Sequence, residues 1–399
     1  MSFLKKYFGP STLIAAAFIG PGTVTTCTLA GVQTGYNLLW ALAFSILATI
    51  IFQEMSARLG WVTQSGLGEA ITTTFDKGVL KYFVIFLVTS AILIGNAAYE
   101  AGNLSGGILG LELLVGPQKY WSLVVGALCF LLLAFGKYKL VEKLLIVLVI
   151  TMSLCFAITA ILVKPKLGEI LYGFIPHNPK EDLLLILALL GTTVVPYNLF
   201  LHASTISKKW GSEASLKSIR TENRVSILMG GLISILIVIT SGTYQGVTTE
   251  VKSAQDLAVQ LEPLLGSAAK YCMGIGLMAA GISSALTAPL AAAFAAQGLF
   301  GWSKSEGDWR FKIVWAVILG LGILIATIGA KPIQIIKFAQ IANAILLPLV
   351  VVFLIYVSNS KNLLKKYTNN KLQNFIALGL LIITLIPIVK LINKIFHIF

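Results

Sequence analysis

The sequence predicts an all-α integral membrane protein of about eleven transmembrane helices, the first and sixth of them broken. Three observations predict it. Only 12% of the 399 residues are charged and 57% are apolar, whereas soluble domains carry about 25% charged residues. Apolar runs of about 20 residues recur along the chain, each long enough to cross a hydrocarbon core of about 30 Å. Two of those runs are interrupted by Gly, Pro, Thr and Asn and not by charge. So little charge cannot coat an ordinary cytosolic enzyme, and so apolar a chain is neither disordered nor a disulfide scaffold.

The spans are expected at 11–32, 37–57, 82–106, 121–136, 143–163, 183–206, 225–243, 270–300, 311–329, 334–357 and 373–390. Span 1 follows the basic start MSFLKK and lacks a convincing cleavage site, so it reads as a span and not a signal peptide. Span 2 ends in QEMSARLG, span 3 opens after Lys77 and Lys81, and span 4 closes before Lys137 and Lys139. Span 5 (LLIVLVITMSLCFAITAILV) and span 11 (FIALGLLIITLIPIV) are uninterrupted apolar cores. Span 6 follows the polar loop 164–182, and span 7 follows the linker 207–224 with its five basic residues. Span 8 follows the loop 244–267 and carries the small-residue pattern GISSALTAPLAAA, which suits close helix packing. Span 9 opens beside Arg310 and Lys312, and span 10 carries Gln340 and Asn343 in mid-membrane.

Most of the 30 Lys and Arg fall in the loops that lie inside when the N-terminus is cytoplasmic. The positive-inside rule then places the C-terminus outside, in a multi-pass protein of the cell membrane. The net charge of +14 is therefore an anchor to the anionic leaflet of the bilayer and not a nucleic-acid footprint. Cys27, Cys129, Cys155 and Cys272 are dispersed without ligand spacing and read as small packing residues. No phosphate-cradling P-loop, Ser/His/Asp set or metal-hydrolase spacing stands out, so an ATP-driven pump and an enzyme are both disfavoured, and no cofactor is expected.

The two interruptions hold the chemistry. Span 1 contains Gly20-Pro21-Gly22-Thr23 and then Val24-Thr25-Thr26, and span 6 contains Gly191-Thr192-Thr193 and then Val194-Val195-Pro196-Tyr197-Asn198. Each Pro removes a backbone donor and crowds the preceding turn. Irregular backbone at this depth persists only where protein or a water-lined cavity satisfies it. Breaks at matching places five spans apart point to inverted repeats, spans 1–5 and 6–10, with substrate at the two broken helices and span 11 added. The alternative is a pair of ordinary proline kinks.

These motifs resemble the Nramp family of proton-coupled divalent-metal transporters, which has the LeuT-type architecture. The family's first-span Asp-Pro-Gly-Asn corresponds to the GPGT of FIGPGTVTTCTLAG, and its sixth-span Met-Pro-His-Asn-Leu-x-Leu-His corresponds to VPYNLFLH. QEMSARLGWVT resembles the family's second span and GLMAAGISSALTAPLAAAFAAQGLFGW its eighth, so the similarity runs from about residue 8 to residue 357. The resemblance implies one transporter domain over 1–399, alternating access, and spans 1, 2, 6 and 7 rocking against 3, 4, 8 and 9.

The departures concern the cargo. The family's metal ligands fall at Gly20, Thr23 and Val195, so a carboxylate, an amide and a thioether have become a glycine, a hydroxyl and a hydrocarbon. Pro21, Gly22, Pro196 and Asn198 keep the frame. A divalent cation prefers anionic oxygen ligands, and a thioether helps select a transition metal. The altered site suits a zwitterion. Amides at Gly20, Gly22 and Thr23 and a helix dipole would hold a carboxylate. Carbonyls of Thr193, Val194 or Val195, the Asn198 amide and the Tyr197 ring would hold an ammonium. Thr25 and Thr26 either line the pocket or bond back to their own helix. Gln340 and Asn343 are expected to face substrate.

Coupling is assigned to the acids within the spans, which are costly there unless they work. Glu100 matches a family Asp linked to proton transfer, while the acid one turn further on is Asn103 here. His202 matches the second sixth-span His and is either a proton site or a packed side chain. Glu54 is either functional or paired with Arg58 at helical spacing. Ser283 and Ser284 either line the path or pack. The first reading is a monomeric, proton-coupled transporter of an amino acid or similar small carboxylate. The alternative is a divalent-cation transporter for Mg2+ or Mn2+, with Thr23, Val195 and Asn198 at the metal. A non-transporting membrane protein on this fold is the third.

Overall fold

The computed structural model describes residues 20–75, 77–135, 138–176, 183–209, 215–246, 251–302, 307–328 and 331–396. The first half of span 1, and Lys5, Lys6, Lys137 and Lys304 of the orientation argument, lie outside the described residues. The observed spans are Pro21–Thr34, Leu39–Thr63, Gly78–Val115, Trp121–Ala134, Tyr138–Leu162, the pair Leu183–Thr193 and Pro196–Lys209, then Leu216–Gly242, Ala269–Phe300, Trp309–Thr327, Pro332–Ser358 and Lys371–Phe396. Among the described residues there is no strand. Nine helices there are long and apolar enough to cross a membrane, and Trp121–Ala134 is a shorter apolar helix. Phe86, Ile94, Leu324 and Phe375 are each more than half exposed, which is how a lipid-facing surface is built.

Span 3 is the longest helix, 38 residues, or about 57 Å at 1.5 Å per residue. The sequence places its end at Gly106, because glycine weakens helices in water. Here the glycines are contact points. A Cβ on Gly106 would lie 2.0 Å from Pro21 Cβ of span 1, and one on Gly110 would lie 2.5 Å from the Gly274 carbonyl of span 8. A Cβ on Gly102 would meet Ala339 of span 10 at 2.9 Å. In a membrane, small residues let backbones approach closely, and that packing sustains the helix. Span 3 is thus a post against which spans 1, 8 and 10 all pack.

Span 7 starts earlier than expected, at Leu216. Ser215 caps it by accepting from the Ser218 N–H at 3.2 Å. Its first turns carry Lys217, Arg220 and Arg224, which is why apolarity alone placed the start later. Pro289, Pro348 and Pro387 lie inside continuous helices. Pro21 and Pro196 instead stand at the first position of a helix. A proline alone therefore does not break a span here. The dispersed-cysteine reading is corrected in part. Cys27 and Cys129 are buried packing residues, but Cys155 Sγ of span 5 lies 3.4 Å from Cys272 Sγ of span 8.

Candidate functional site

Both breaks form by the same local logic. At span 1, Gly20 is extended (φ −101°, ψ −175°) and Pro21 opens the helix, a position where its missing N–H costs nothing. The Gly20 carbonyl then accepts from Thr23 N at 3.1 Å and Val24 N at 3.2 Å. At span 6, Val194 N makes a last helical bond to Leu190 O at 2.8 Å, and Pro196 opens the next helix. Asn198 N donates back to Val195 O at 3.1 Å.

Tertiary packing brings the two breaks together. Thr23 Oγ1 and Thr192 Oγ1 are 2.9 Å apart and buried. Gln340 of span 10 sits against both helices. A Cβ on Gly22 would lie 2.2 Å from Gln340 Nε2, and one on Gly191 would lie 1.8 Å from the Gln340 backbone carbonyl. Gly22 and Gly191 are therefore glycines because Gln340 occupies the space a side chain would need. Thr49 of span 2 donates to the Thr193 carbonyl at 3.2 Å, and Thr193 donates its own hydroxyl to Leu189 O at 2.8 Å.

The geometry narrows the zwitterion arrangement expected from the sequence. Pro21 has no N–H, and the Thr23 N–H is spent on Gly20. Of the first three helical residues, only Gly22 keeps a donor for an anion. Of the carbonyls expected to face an ammonium, Val195 accepts one bond from Asn198 and Thr193 lies 3.2 Å from Thr49 Oγ1, whose shorter bond, 2.8 Å, goes to Ser45 O, so each keeps a lone pair. Val194 and Val195 are packed into the interior.

Other expected residues sort by their partners. Tyr197 packs edge-on against Tyr99 of span 3, with ring centroids 5.3 Å apart, and the two buried hydroxyls pair with each other. Asn198 is buried, and neither atom of its carboxamide has a partner. Thr25 and Thr26 are fully buried and do not bond back to their helix. Glu100 is fully buried with Oε1 unpaired, and Asn103 Nδ2 approaches Oε2 at 3.4 Å. Its side chain lies against Gly322 of span 9, so it is not at the Thr23–Thr192 contact. His202 is buried, and its Nδ1–H donates to Gln53 Oε1 of span 2 at 2.8 Å. Ser284 is buried, and the Ser283 carbonyl accepts from Thr287 at 2.6 Å.

Glu54 takes the paired alternative. It meets Arg58 at 3.2 Å and Arg220 of span 7 at 2.8 Å. Arg58 also donates to the Tyr367 carbonyl and to Asn369 Oδ1. Sequence reasoning missed Thr192, Gln53 and Asn96 as site residues. Asn96 had a signal, since it lies one turn before Glu100 in an otherwise apolar span. Thr192 stood in the Gly-Thr-Thr run before Pro196, but its partner is 169 residues away, and Gln53 had no signal, because its partner is 149 residues away.

The result is a buried polar centre with no formal charge at the helix breaks. Among the described residues, no group of three or more His, Cys, Asp or Glu is placed to hold a metal ion. Hydroxyls and carboxamides supply the oxygens instead.

Comparison with known proteins supplies the relationship. The profile of a family described as natural resistance-associated macrophage protein-like, Nramp, matches residues 11–394, so the match extends through span 11. A protein of Nostoc sp. named divalent metal cation transporter MntH is 30% identical over 392 residues, covering 92% of this chain and 87% of its own. A protein of the same name from Caldanaerobacter subterraneus is 26% identical over 397 residues, covering 96% of this chain and 91% of its own. Among solved structures, a manganese transporter of Eremococcus coleocola superposes with a TM-score of 0.76 at 20% identity, covering 98% of this chain and 87% of that one. MhsT, solved in complex with L-phenylalanine, superposes with a TM-score of 0.60 at 17% identity over 97% of this chain and 98% of that one. The last two similarities speak to the fold alone, and that fold is LeuT-type.

Proposed function

This chain belongs to the Nramp family of membrane transporters, and on that premise we propose that its cargo is a divalent metal cation, Mg2+ or Mn2+, carried by alternating access. The alternative kept open by the sequence thereby becomes the main reading. The observation that carries it is the convergence of Thr23, Thr192 and Gln340, neutral oxygen ligands from three spans, at the contact between the two breaks. The names of the relatives support it. The spent Thr23 amide at the start of the span-1 helix weighs against a carboxylate cargo.

Charge sets the form of the cargo. A bare dication among neutral groups in low dielectric is expensive. Mg2+ gives up its waters reluctantly and is usually bound with several of them retained. With no carboxylate at Gly20 and no thioether at Val195, the cation keeps most of its water and is selected as a hard, oxygen-seeking ion. Thr23 and Asn198 bind it directly or through water. The Val195 carbonyl, which already accepts one bond, has a second lone pair to offer.

Glu100 carries the coupling proton in this reading. It is a fully buried acid with one unpaired oxygen, and protonation neutralises it during the transition. Spans 1, 2, 6 and 7 move against 3, 4, 8 and 9, as one transporter domain acting as a monomer. The N-terminus is cytoplasmic and the C-terminus outside, in the cell membrane.

A second reading keeps an amino acid or small carboxylate as cargo. It is favoured by the positive end of the span-1 helix, which has no acidic residue in its first turn and an unspent Gly22 N–H. Uptake into proteoliposomes under an imposed pH gradient separates the two. Mn2+ or Mg2+ uptake lost in Gln340→Leu supports the first reading. Amino-acid uptake with no cation flux overturns it.

A further inference from the structure

A small cavity lies beside the span-6 break, one turn along span 10 from Gln340. It is lined by Asn96 of span 3, Pro196 and Tyr197 of span 6, and Asn343 of span 10. Gly95 opens it, because a Cβ there would meet Leu346 at 2.8 Å. Asn96 and Asn343 are each 2% exposed. Both amide atoms of Asn96 and the Asn343 Nδ2 have no hydrogen-bond partner within the protein, and the Tyr197 hydroxyl beside them pairs with that of Tyr99.

Polar groups stranded at this depth are costly unless something fills their hydrogen bonds. Nothing in the main site explains them. Thr23 and Thr192 satisfy each other, and Gln340 packs on the glycines. Asn343 lies three residues after Gln340 on the same helix face. The Gln340 Oε1 is likewise unpaired. Unspent carboxamides thus run from the contact between the breaks towards the C-terminal halves of spans 6 and 10. The cavity has room for about one water, and its groups both donate and accept, which is what an ordered water requires.

We infer that Asn96 and Asn343, with the Tyr197 ring as a wall, form a second cargo station, which holds one hydration water of the divalent cation as the ion passes beside it after leaving Thr23 and Gln340. The station rests on the cation reading given above. Its neutral groups bind the hydration shell and not the bare ion, so the cation is held loosely enough to leave. In the orientation proposed above, this station lies on the cytoplasmic side of the break.

The test uses the full chain in proteoliposomes, with Mn2+ and Mg2+ as probes and Asn343→Leu, Asn96→Leu and Asn343→Asp as variants. Each Leu variant is expected to lower maximal uptake about tenfold, the scale of one or two lost hydrogen bonds, with little change in the half-saturating concentration. Thermal stability should hold or rise, since each removes an unsatisfied buried amide. A structural role would lower stability and uptake together. Asn343→Asp should tighten cation binding and slow flux, because a carboxylate traps the ion. Wild-type uptake with unchanged rates in both Leu variants overturns the station and leaves the cation reading standing. So does an Asn343→Asp variant with unaltered binding and flux. No cation uptake by the wild type overturns both.

Discussion

Two buried polar regions lie in this helix bundle, built on opposite terms. Where spans 2 and 7 meet, Glu54 is bonded by two arginines, and Arg58, only 1% exposed, reaches a carbonyl and a carboxamide of the segment between spans 10 and 11. At the helix breaks there is no formal charge, and Asn96, Asn198, Gln340 and Asn343 keep unpaired atoms. The first region spends its charges on holding helices together. The second leaves neutral groups unspent, which lowers stability and provides oxygens for a passing ion. Burial by itself therefore does not mark a working residue. Several unpaired neutral groups gathered at one place do, whereas a single unpaired atom such as Asn223 Oδ1 also occurs in the charged region.

The comparison can be broken first at the charged region. Arg58→Met leaves Glu54 with Arg220 alone and strips Asn369 of its donor. A loss of about 3 kcal/mol is expected, the lower end for removing one member of a buried pair. Thermal unfolding in detergent measures it, and a loss below about 1 kcal/mol would place this cluster with weak surface pairs.

The next effect falls on close packing at the breaks. In Gly191→Ala the added methyl meets backbone and not a movable side-chain tip. Overpacking of this kind costs about 1–3 kcal/mol. Cation uptake should be abolished in the fraction that folds, and wild-type uptake would show that the breaks need not meet span 10 so closely. Gly22→Ala should be milder, because its obstacle is the Gln340 carboxamide, which can swing away.

Thr23→Val sharpens the comparison within the neutral region. It deletes the hydroxyl facing Thr192 and should cost about 1 kcal/mol of stability but most of the uptake. Equal losses in the two measurements would make Thr23 a structural hydroxyl only.

The smallest stability effect is expected for Glu100→Gln, which keeps shape and removes charge. Unfolding temperature should hold, while uptake should lose its response to a pH gradient. Retained coupling would move the proton elsewhere, with His202 the next residue to test. An accompanying Glu54→Gln should leave the pH response intact, since that acid is paired.

Much of this was legible in the chain. Spans 2–11 follow from apolar runs, because the bilayer imposes one length on every crossing. The Glu54–Arg58 pair follows from helical spacing, but Arg220, 166 residues from Glu54, does not. The interruptions at Pro21 and Pro196 were readable because Gly and Thr gather around each proline at matching places five spans apart. Pro289, Pro348 and Pro387 show that proline alone would have misled. The amides of span 1 looked available for an anion. A local bond from Thr23 N to Gly20 O removed one of them, and only the folded turn reveals that.

By itself the sequence determined that this is a bundle of membrane helices with two interrupted spans, and that the interrupted spans lack a carboxylate and a thioether. Those are properties of residue type and local order, and hydrophobic length and missing side chains can be counted along a line. Only the tertiary structure decided which polar groups meet. Thr23 joins Thr192, Gln340 fills the space over Gly22 and Gly191, and Asn96 and Asn343 are left unpaired beside Tyr197. The reason is that partners about 100 residues or more apart are set by packing, and here the packing is fixed by glycines whose neighbours the sequence does not name.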